Sequence, residues 1–296
     1  MTLVSRARTL ALATAAAALA LSLAAPLAAQ LQLPLPSPNA TVSQTIGLTD
    51  VAITYSRPGV KGRTIWGTLV PYDKPWRTGA NASTTITFAD PVTVEGKKLA
   101  AGAYSLYTVP GKGEWTVVFN SDAKAGAGSW DAKKDALRVT VKPAESPDFH
   151  EWMTFGFESL TPRSADVVLS WEKLRLAFKV ETDTDAKALA NARAAVAAAK
   201  ADDWQTPLRA ANYMIENKTN QTDAEAWLKK SLAVKETYGN LAAQARWYAA
   251  QGKKTEAVAS AEKALKVAAA TPEDQRPSDD TTAALKKQMA EWGGKS

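Results

Sequence analysis

The chain has 296 residues, with 36 basic and 30 acidic side chains and a formal net charge of +6 at pH 7. The excess is spread thinly, because residues 30–182 and residues 183–296 each contain 17 basic and 15 acidic side chains. Neither half has the concentrated basic charge of a nucleic-acid-binding protein, so we exclude nucleic acid as a partner. The lack of cysteine excludes disulfides, and the single histidine, His150, argues against a zinc site, so we expect neither a metal nor a cofactor.

The first 29 residues have the pattern of a cleaved secretory signal peptide. Two arginines form a basic region, residues 10–23 are rich in alanine and leucine, and Ala28 and Ala29 provide small residues for cleavage. The apolar run is shorter and richer in alanine than the roughly 20 strongly apolar residues of a membrane span, so an uncleaved anchor is the less favoured alternative. We predict a periplasmic or secreted protein with no membrane span after cleavage, which begins with a linker over 30–39.

Short segments that alternate apolar and polar residues fill the chain from residue 40 to residue 181. This period of two is typical of half-buried strands, and turn signals such as Pro58-Gly59 separate the segments. About ten such segments occur, and the last two are 165–172 and 174–180. Because no helical period lies between them, they predict a mainly β domain, an antiparallel β-sandwich with a jelly-roll-like arrangement.

From residue 183 to residue 296 the alternation gives way to alanine-rich, helix-forming sequence. Residues 225–234 and 256–265 form a weak repeat at an offset of 31, close to the tetratricopeptide period of about 34. Gly252 fits the turn between two closely crossing helices. The large and small positions of this unit are Leu241, Ala245, Tyr248, Ala257, Ala261 and Ala264. We predict an all-α, tetratricopeptide-like domain, which either packs on the sandwich or binds a protein partner in a groove.

Three blocks in the first half resemble one family of secreted bacterial proteins. They are "SRPGVKGR" at 56–63, "GTLVPYDKPWRTGAN" at 67–81 and "AGAYSLYTVPG" at 101–111. From about residue 40 to residue 181 the chain is similar to the family called domain of unknown function 2911. The resemblance implies a secreted β-sandwich, and other members also carry a helical or tetratricopeptide-like tail. It implies no established activity, so it supplies no catalytic residues.

The segment from Arg57 to Asn81 combines five basic residues with three large aromatic residues and only one acid, Asp73. Such a loop can stack on sugar rings and bind carboxylates or phosphates through arginine. The candidate ligand-binding residues are Arg57, Lys61, Arg63, Trp66, Tyr72, Trp76, Arg77 and Asn81. The expected ligand is a cell-envelope glycan or an anionic small molecule. The protein would then be a non-enzymatic binding or envelope-associated module.

The same segment has a structural interpretation, which the sequence leaves open. Trp66 and Trp76 would fill the open end of the core and hold a long loop in place. Arg77 would donate hydrogen bonds to loop carbonyls, and Gly79 and Asn81 would supply backbone conformations with positive φ.

A glycan-acting hydrolase that uses carboxylates is the enzymatic alternative. Glu151 and Glu158 are seven residues apart, an odd spacing that places them on opposite faces of a regular strand. A Ser-His-Asp arrangement would require His150, which we expect to face solvent where a loop meets a strand. We therefore assign no catalytic residues.

Overall fold

The computed structural model describes residues 33–123 and 130–293. The predicted signal peptide at 1–29 lies outside these residues. Within them, a β domain that ends at Thr182 is followed by a helical domain that begins at Thr184. The predicted fold class, a β-sandwich followed by an all-α domain, is confirmed.

Ten strands in the described part of the chain form two antiparallel sheets. They are β1 (Asn39–Ile46), β2 (Thr49–Ser56), β3 (Thr84–Phe88), β4 (Val92–Val94), β5 (Lys97–Leu99), β6 (Gly102–Val109), β7 (Trp115–Asn120), β8 (Asp135–Val141), β9 (Ala144–Glu158) and β10 (Ser164–Thr182). The larger sheet has the order β1-β2-β3-β6-β7-β8, and the smaller has the order β5-β4-β10-β9. The prediction missed β5, because its two lysines are adjacent and both exposed, so the strand shows no alternation.

The two sheets enclose one core because apolar and polar side chains alternate along the strands. In β2, Val51 and Ile53 are fully buried, whereas Asp50 and Thr54 face solvent. Residues of the smaller sheet, such as Leu169, belong to the same buried cluster. With no disulfide, this apolar burial is the main source of the domain's stability.

Strand β10 folds back on itself at its middle. Its 19 residues would span about 60 Å if fully extended, yet the backbone nitrogen of Thr182 donates to the carbonyl oxygen of Arg163 at 2.9 Å. Glu172 has a φ of 57°, a left-handed conformation suited to a tight turn. Buried side chains fall mainly on odd positions before Glu172 and on even positions after it. β10 is therefore a hairpin, and its two arms correspond to the predicted strands 165–172 and 174–180.

Six α-helices follow in the described part of the chain. They are α1 (Thr184–Ala198), α2 (Gln205–Glu216), α3 (Gln221–Val234), α4 (Tyr238–Ala250), α5 (Lys254–Ala270) and α6 (Asp279–Glu291). No helix among the described residues combines the length and the apolar character that crossing a membrane requires.

Helices α4 and α5 form the helix pair that the repeat pattern predicts. Gly252 has a φ of 74° in the turn between them, a conformation that glycine adopts without strain. Leu241, Ala245 and Ala261 are buried in one cluster. The small side chains of Ala245 and Ala261 let the two helices approach closely.

Polar contacts join helix α1 to the β domain. The Lys187 ammonium donates to the Asp90 carboxylate and, at 2.7 Å, to the carbonyl of Leu48. The Arg163 guanidinium forms a fork with Asp185, with two nitrogen–oxygen distances of 2.9 Å. These contacts fix the start of the helical domain against the end of the sandwich.

Gly47, in the turn between β1 and β2, permits a close approach at this junction. Its φ is 61°, and a Cβ atom there would lie 2.0 Å from Oγ1 of Thr184 and 2.4 Å from the carbonyl oxygen of Pro162. Gly62 has a similar φ of 66°, but a Cβ atom there would meet nothing within 4 Å. Substitutions at the two positions therefore share the backbone strain, and only the one at Gly47 adds steric overlap.

We expect Gly47→Ala to lower the free energy of unfolding more than Gly62→Ala does. Both variants place a side chain at a left-handed φ, which costs about 1–2 kcal/mol. Overpacking at Gly47 adds about 1–3 kcal/mol. Urea unfolding of both variants tests this, and equal losses would contradict the close approach to Thr184.

The contact between Asp90 and Lys187 makes the stability of the domain junction depend on pH. The pKa of Asp90 lies below its ordinary value, chiefly because Lys187 donates to its carboxylate and also because Thr49 donates to it. A lowered folded pKa stabilises the fold above the unfolded value of about 3.9, and this stabilisation is lost as the pH falls through the folded pKa. We expect Asp90→Asn to unfold more easily than the unmodified protein at pH 7.

That difference between Asp90→Asn and the unmodified protein should shrink below about pH 4. Thermal unfolding at several pH values measures it. Asp274→Asn, at an exposed position, is the control and should show little difference at any pH. If the loss of stability in Asp90→Asn stays constant down to pH 2, the ionised carboxylate of Asp90 is not its cause.

Candidate functional site

Trp66 and Trp76 belong to a cluster of four tryptophans at one end of the sandwich. The Trp66 ring lies 4.9 Å from that of Trp115 and 5.6 Å from that of Trp171, between ring centres. Trp76 stacks on Trp171 at 5.8 Å with an interplanar angle of 20°. Trp115 and Trp171 are each 1% exposed, while Trp66 and Trp76 are half-buried. This is the arrangement that the structural interpretation predicts for the two loop tryptophans.

The turn of the β10 hairpin fixes the orientation of Trp66. The Trp66 indole nitrogen donates to Oε2 of Glu172 at 3.2 Å. A cleft of about 250 Å³ borders this pair, and Glu145 and Lys173 also line it. Glu172 therefore has a structural partner, although sequence reasoning did not single it out.

Three of the predicted ligand-binding residues use their side chains to hold backbone. Arg57 donates through Nε to the carbonyl of Met153 at 2.9 Å and through Nη2 to Oγ1 of Thr154 at 2.6 Å. Arg63 donates to the carbonyls of residues 59 and 60 at 2.6 and 3.1 Å. Asn81 donates to the carbonyl of residue 37 at 3.1 Å and has a φ of 56°, as expected.

Arg77 and Gly79 differ from the structural interpretation. Within the described residues, the buried Nε of Arg77 has no hydrogen-bond partner, so the expected bonds to loop carbonyls are not formed by this atom. Gly79 lacks a positive φ, and Thr78 has one instead, at 55°. Glycine is required at position 79 for space, since a Cβ atom there would lie 2.9 Å from Oγ1 of Thr84.

Tyr72 also packs within the loop. A Cβ atom added to Gly67 would lie 2.8 Å from Cε2 of Tyr72, so the phenol ring covers this glycine. Gly67 has a φ of 84°, which glycine adopts without strain. Tyr72 thus helps to shape the loop in which the Trp66 and Trp76 side chains turn inwards.

The exposed part of the segment lies against β9, an edge strand of the smaller sheet. The nitrogen of Val60 donates to the carbonyl of Glu151 at 2.8 Å, and the nitrogen of Met153 donates to the carbonyl of Pro58 at 3.0 Å. The intervening Trp152 is 39% exposed, and a Cβ atom added to Gly59 would lie 3.3 Å from Cζ3 of its ring. The loop thus holds the Trp152 ring in a defined position on the surface.

One cation lies over this ring, and a second is anchored on the glycine that the ring contacts. Nζ of Lys61 lies 5.6 Å from the centre of the Trp152 ring, within the range of a cation–π interaction. Arg63 is anchored on the carbonyl of Gly59, which packs against the same ring. We call Gly59, Lys61, Arg63 and Trp152 the Trp152 platform. Sequence reasoning could not assemble it, because Trp152 lies about 90 residues from the loop and only the strand pairing brings the two together.

The carboxylates considered for catalysis have separate structural partners. Oε1 of Glu151 accepts from the backbone nitrogen of Lys61 at 2.9 Å, and Glu158 forms an ion pair with Arg175 at 2.6 Å. Seven positions along a strand correspond to about 23 Å, too far for the two carboxylates of a glycosidase. Among the described residues, no group of three or more His, Cys, Asp or Glu side chains is placed to hold a metal ion.

His150 is not at a loop-to-strand junction, contrary to the prediction. It lies within β9, is half-buried, and its Nε2 is 3.2 Å from Oγ of Ser146. Glu172 pairs with His150 and Leu174 with Glu145, so β9 bulges between residues 145 and 150. The histidine contact closes this bulge.

A comparison with protein families supports the resemblance seen in the sequence. The family model described as a protein of unknown function (DUF2911) matches residues 37–180. The match covers nearly all of the β domain and none of the helical domain. Neither the search of curated proteins nor the search of solved structures gave a match.

We expect Glu172→Ala to destabilise the β domain more than Glu172→Gln. Alanine leaves the half-buried indole nitrogen of Trp66 without an acceptor, which costs about 1 kcal/mol, whereas glutamine retains a side-chain oxygen. Both substitutions keep a side chain at the left-handed φ of Glu172, so backbone strain is matched. Chemical unfolding measures the two losses, and equal losses would contradict a structural role for the hydrogen bond.

Proposed function

We propose that the protein is an exported, non-enzymatic binding module whose β domain binds an anionic glycan of the cell envelope on the Trp152 platform. The observation that supports this most directly is the position of Trp152. A tryptophan that is 39% exposed and held against a glycine presents a rigid apolar surface to solvent. Such a surface suits the apolar face of a sugar ring.

The charges around the ring favour an anionic ligand. Lys61 and Arg63 provide two positive charges beside one carboxylate, that of Glu151, which accepts a backbone hydrogen bond. The Lys61 ammonium donates one hydrogen bond, to the carbonyl of residue 36 at 3.3 Å. Since an ammonium has three donors, two are left for carboxylate or phosphate groups of a ligand.

Other candidate residues of the segment make contacts inside the β domain instead of presenting an open surface. Trp66 and Trp76 face the core cluster, and the donors Nε and Nη2 of Arg57 are used on β9. The proposed site is therefore narrower than the 57–81 segment and includes one residue outside it. Export rests on the signal-peptide pattern of residues 1–29, and a periplasmic or extracellular location would give access to envelope polysaccharides.

Thermal unfolding of the mature protein with acidic oligosaccharides and peptidoglycan fragments tests this proposal. Ligand at about 100 times its dissociation constant should add about 2.7 kcal/mol of stability and raise the unfolding midpoint. We expect Trp152→Ala and Lys61→Gln to abolish this rise with little change in their own midpoints, because both side chains are largely outside the core.

Two variants serve as controls. Lys98→Gln removes an exposed lysine on β5, and Trp130→Ala removes a tryptophan that also faces a cation, Arg138, at 5.4 Å. Both should retain the ligand-induced rise. A rise of the midpoint that persists in Trp152→Ala, or the lack of any rise with all ligands, would overturn the proposal.

A further inference from the structure

A second candidate site lies in the helical domain, in a cleft of about 500 Å³ between α2, α4 and α6. Ala242 and Leu285 are buried and form its apolar floor. Its walls carry polar side chains from all three helices. These are Asn212, Arg246, Asp280 and Gln288.

Arg246 is the residue of this cleft that can best bind an anionic group. It is half-buried, and in the described part of the chain its guanidinium has no hydrogen bond and no ion pair. Its nitrogens are not among the buried atoms that lack a partner, so they face the cleft or solvent, and arginine is suited to binding a carboxylate through two parallel hydrogen bonds. The amides of Asn212 and Gln288 are half-buried in the same walls and can supply further hydrogen bonds.

A negative charge lies in the same cleft but does not neutralise Arg246. Asp280 is exposed in the first turn of α6, and no ion pair joins it to Arg246 in the described residues. The hydroxyl of Tyr238, on α4, donates to the carbonyl of Thr281, on α6, at 2.9 Å. This bond ties the helix that carries the cation to the helix that carries the anion.

We propose that this cleft binds a zwitterionic ligand of the amino-acid or short-peptide class, with its carboxylate on Arg246 and its ammonium group on Asp280. The proposal concerns a second site and does not depend on the Trp152 platform. The cleft volume accommodates a free amino acid or a peptide of a few residues. Gly239 also lines the cleft.

Calorimetric titration of the full mature chain tests the site. The probes are alanine, dialanine and trialanine, together with N-acetylalanine and alanine amide, which lack the ammonium and carboxylate charges respectively. We expect at least one of the three unblocked compounds to bind. The length that binds best distinguishes a free amino acid from a peptide.

The blocked compound with the matching chain length should bind at least about tenfold more weakly, since each removed charge loses a charge-assisted hydrogen bond. Acetylated or amidated dialanine and trialanine extend this comparison to the peptides. Arg246→Gln and Asp280→Asn should weaken binding of the unblocked ligand by a similar factor.

Arg209→Gln is the matched control, because Arg209 is an exposed arginine on α2 that lines a different cleft. It should bind like the unmodified protein, and circular dichroism should show all three variants to be folded. The proposal is overturned if no unblocked compound binds, if blocked compounds bind equally well, or if Arg246→Gln binds as tightly as Arg209→Gln.

Discussion

Four indole rings at one end of the sandwich hold the long connection between β2 and β3 in place, and the surface of the β domain depends on this packing. Ordering a loop costs about 1–2 kcal/mol per residue in backbone entropy. A chain without disulfides must offset that cost by burial, and Trp66 and Trp76 provide it by packing on Trp115 and Trp171. The hydrogen bond from Trp66 to Glu172 then fixes the loop relative to the β10 hairpin.

The anchored loop protects an edge of the smaller sheet. Unpaired edge strands can pair with other chains, and residues 58–60 occupy part of the free edge of β9. The same pairing places Gly59 under Trp152 and Lys61 beside it, so one connection both closes the fold and shapes the proposed binding surface. The helical domain, joined through Lys187 and Asp90, adds a separate cleft with unpaired charges.

Much of this fold could be predicted, because the spacing of apolar residues along the sequence indicates which side chains are buried. Alternation located both arms of β10, and the small residues around Ala245 and Ala261 located a helix pair. The roles of single loop residues were harder to predict, because they depend on contacts distant in sequence. Gly79 is needed for space rather than for positive φ, and Trp152 gains its setting from a loop about 90 residues earlier. No sequence pattern indicates that Arg246 lacks an ion-pair partner among the described residues.

The most direct test of the division between core and surface tryptophans is nuclear magnetic resonance of the indole N–H groups during titration with an acidic oligosaccharide. Single Trp→Phe variants assign the signals of Trp66, Trp76 and Trp152. The account predicts that the Trp152 signal shifts progressively with ligand while those of Trp66 and Trp76 stay in place, since their rings pack against the core. Shifts at Trp66 and Trp76 with an unchanged Trp152 signal would contradict it.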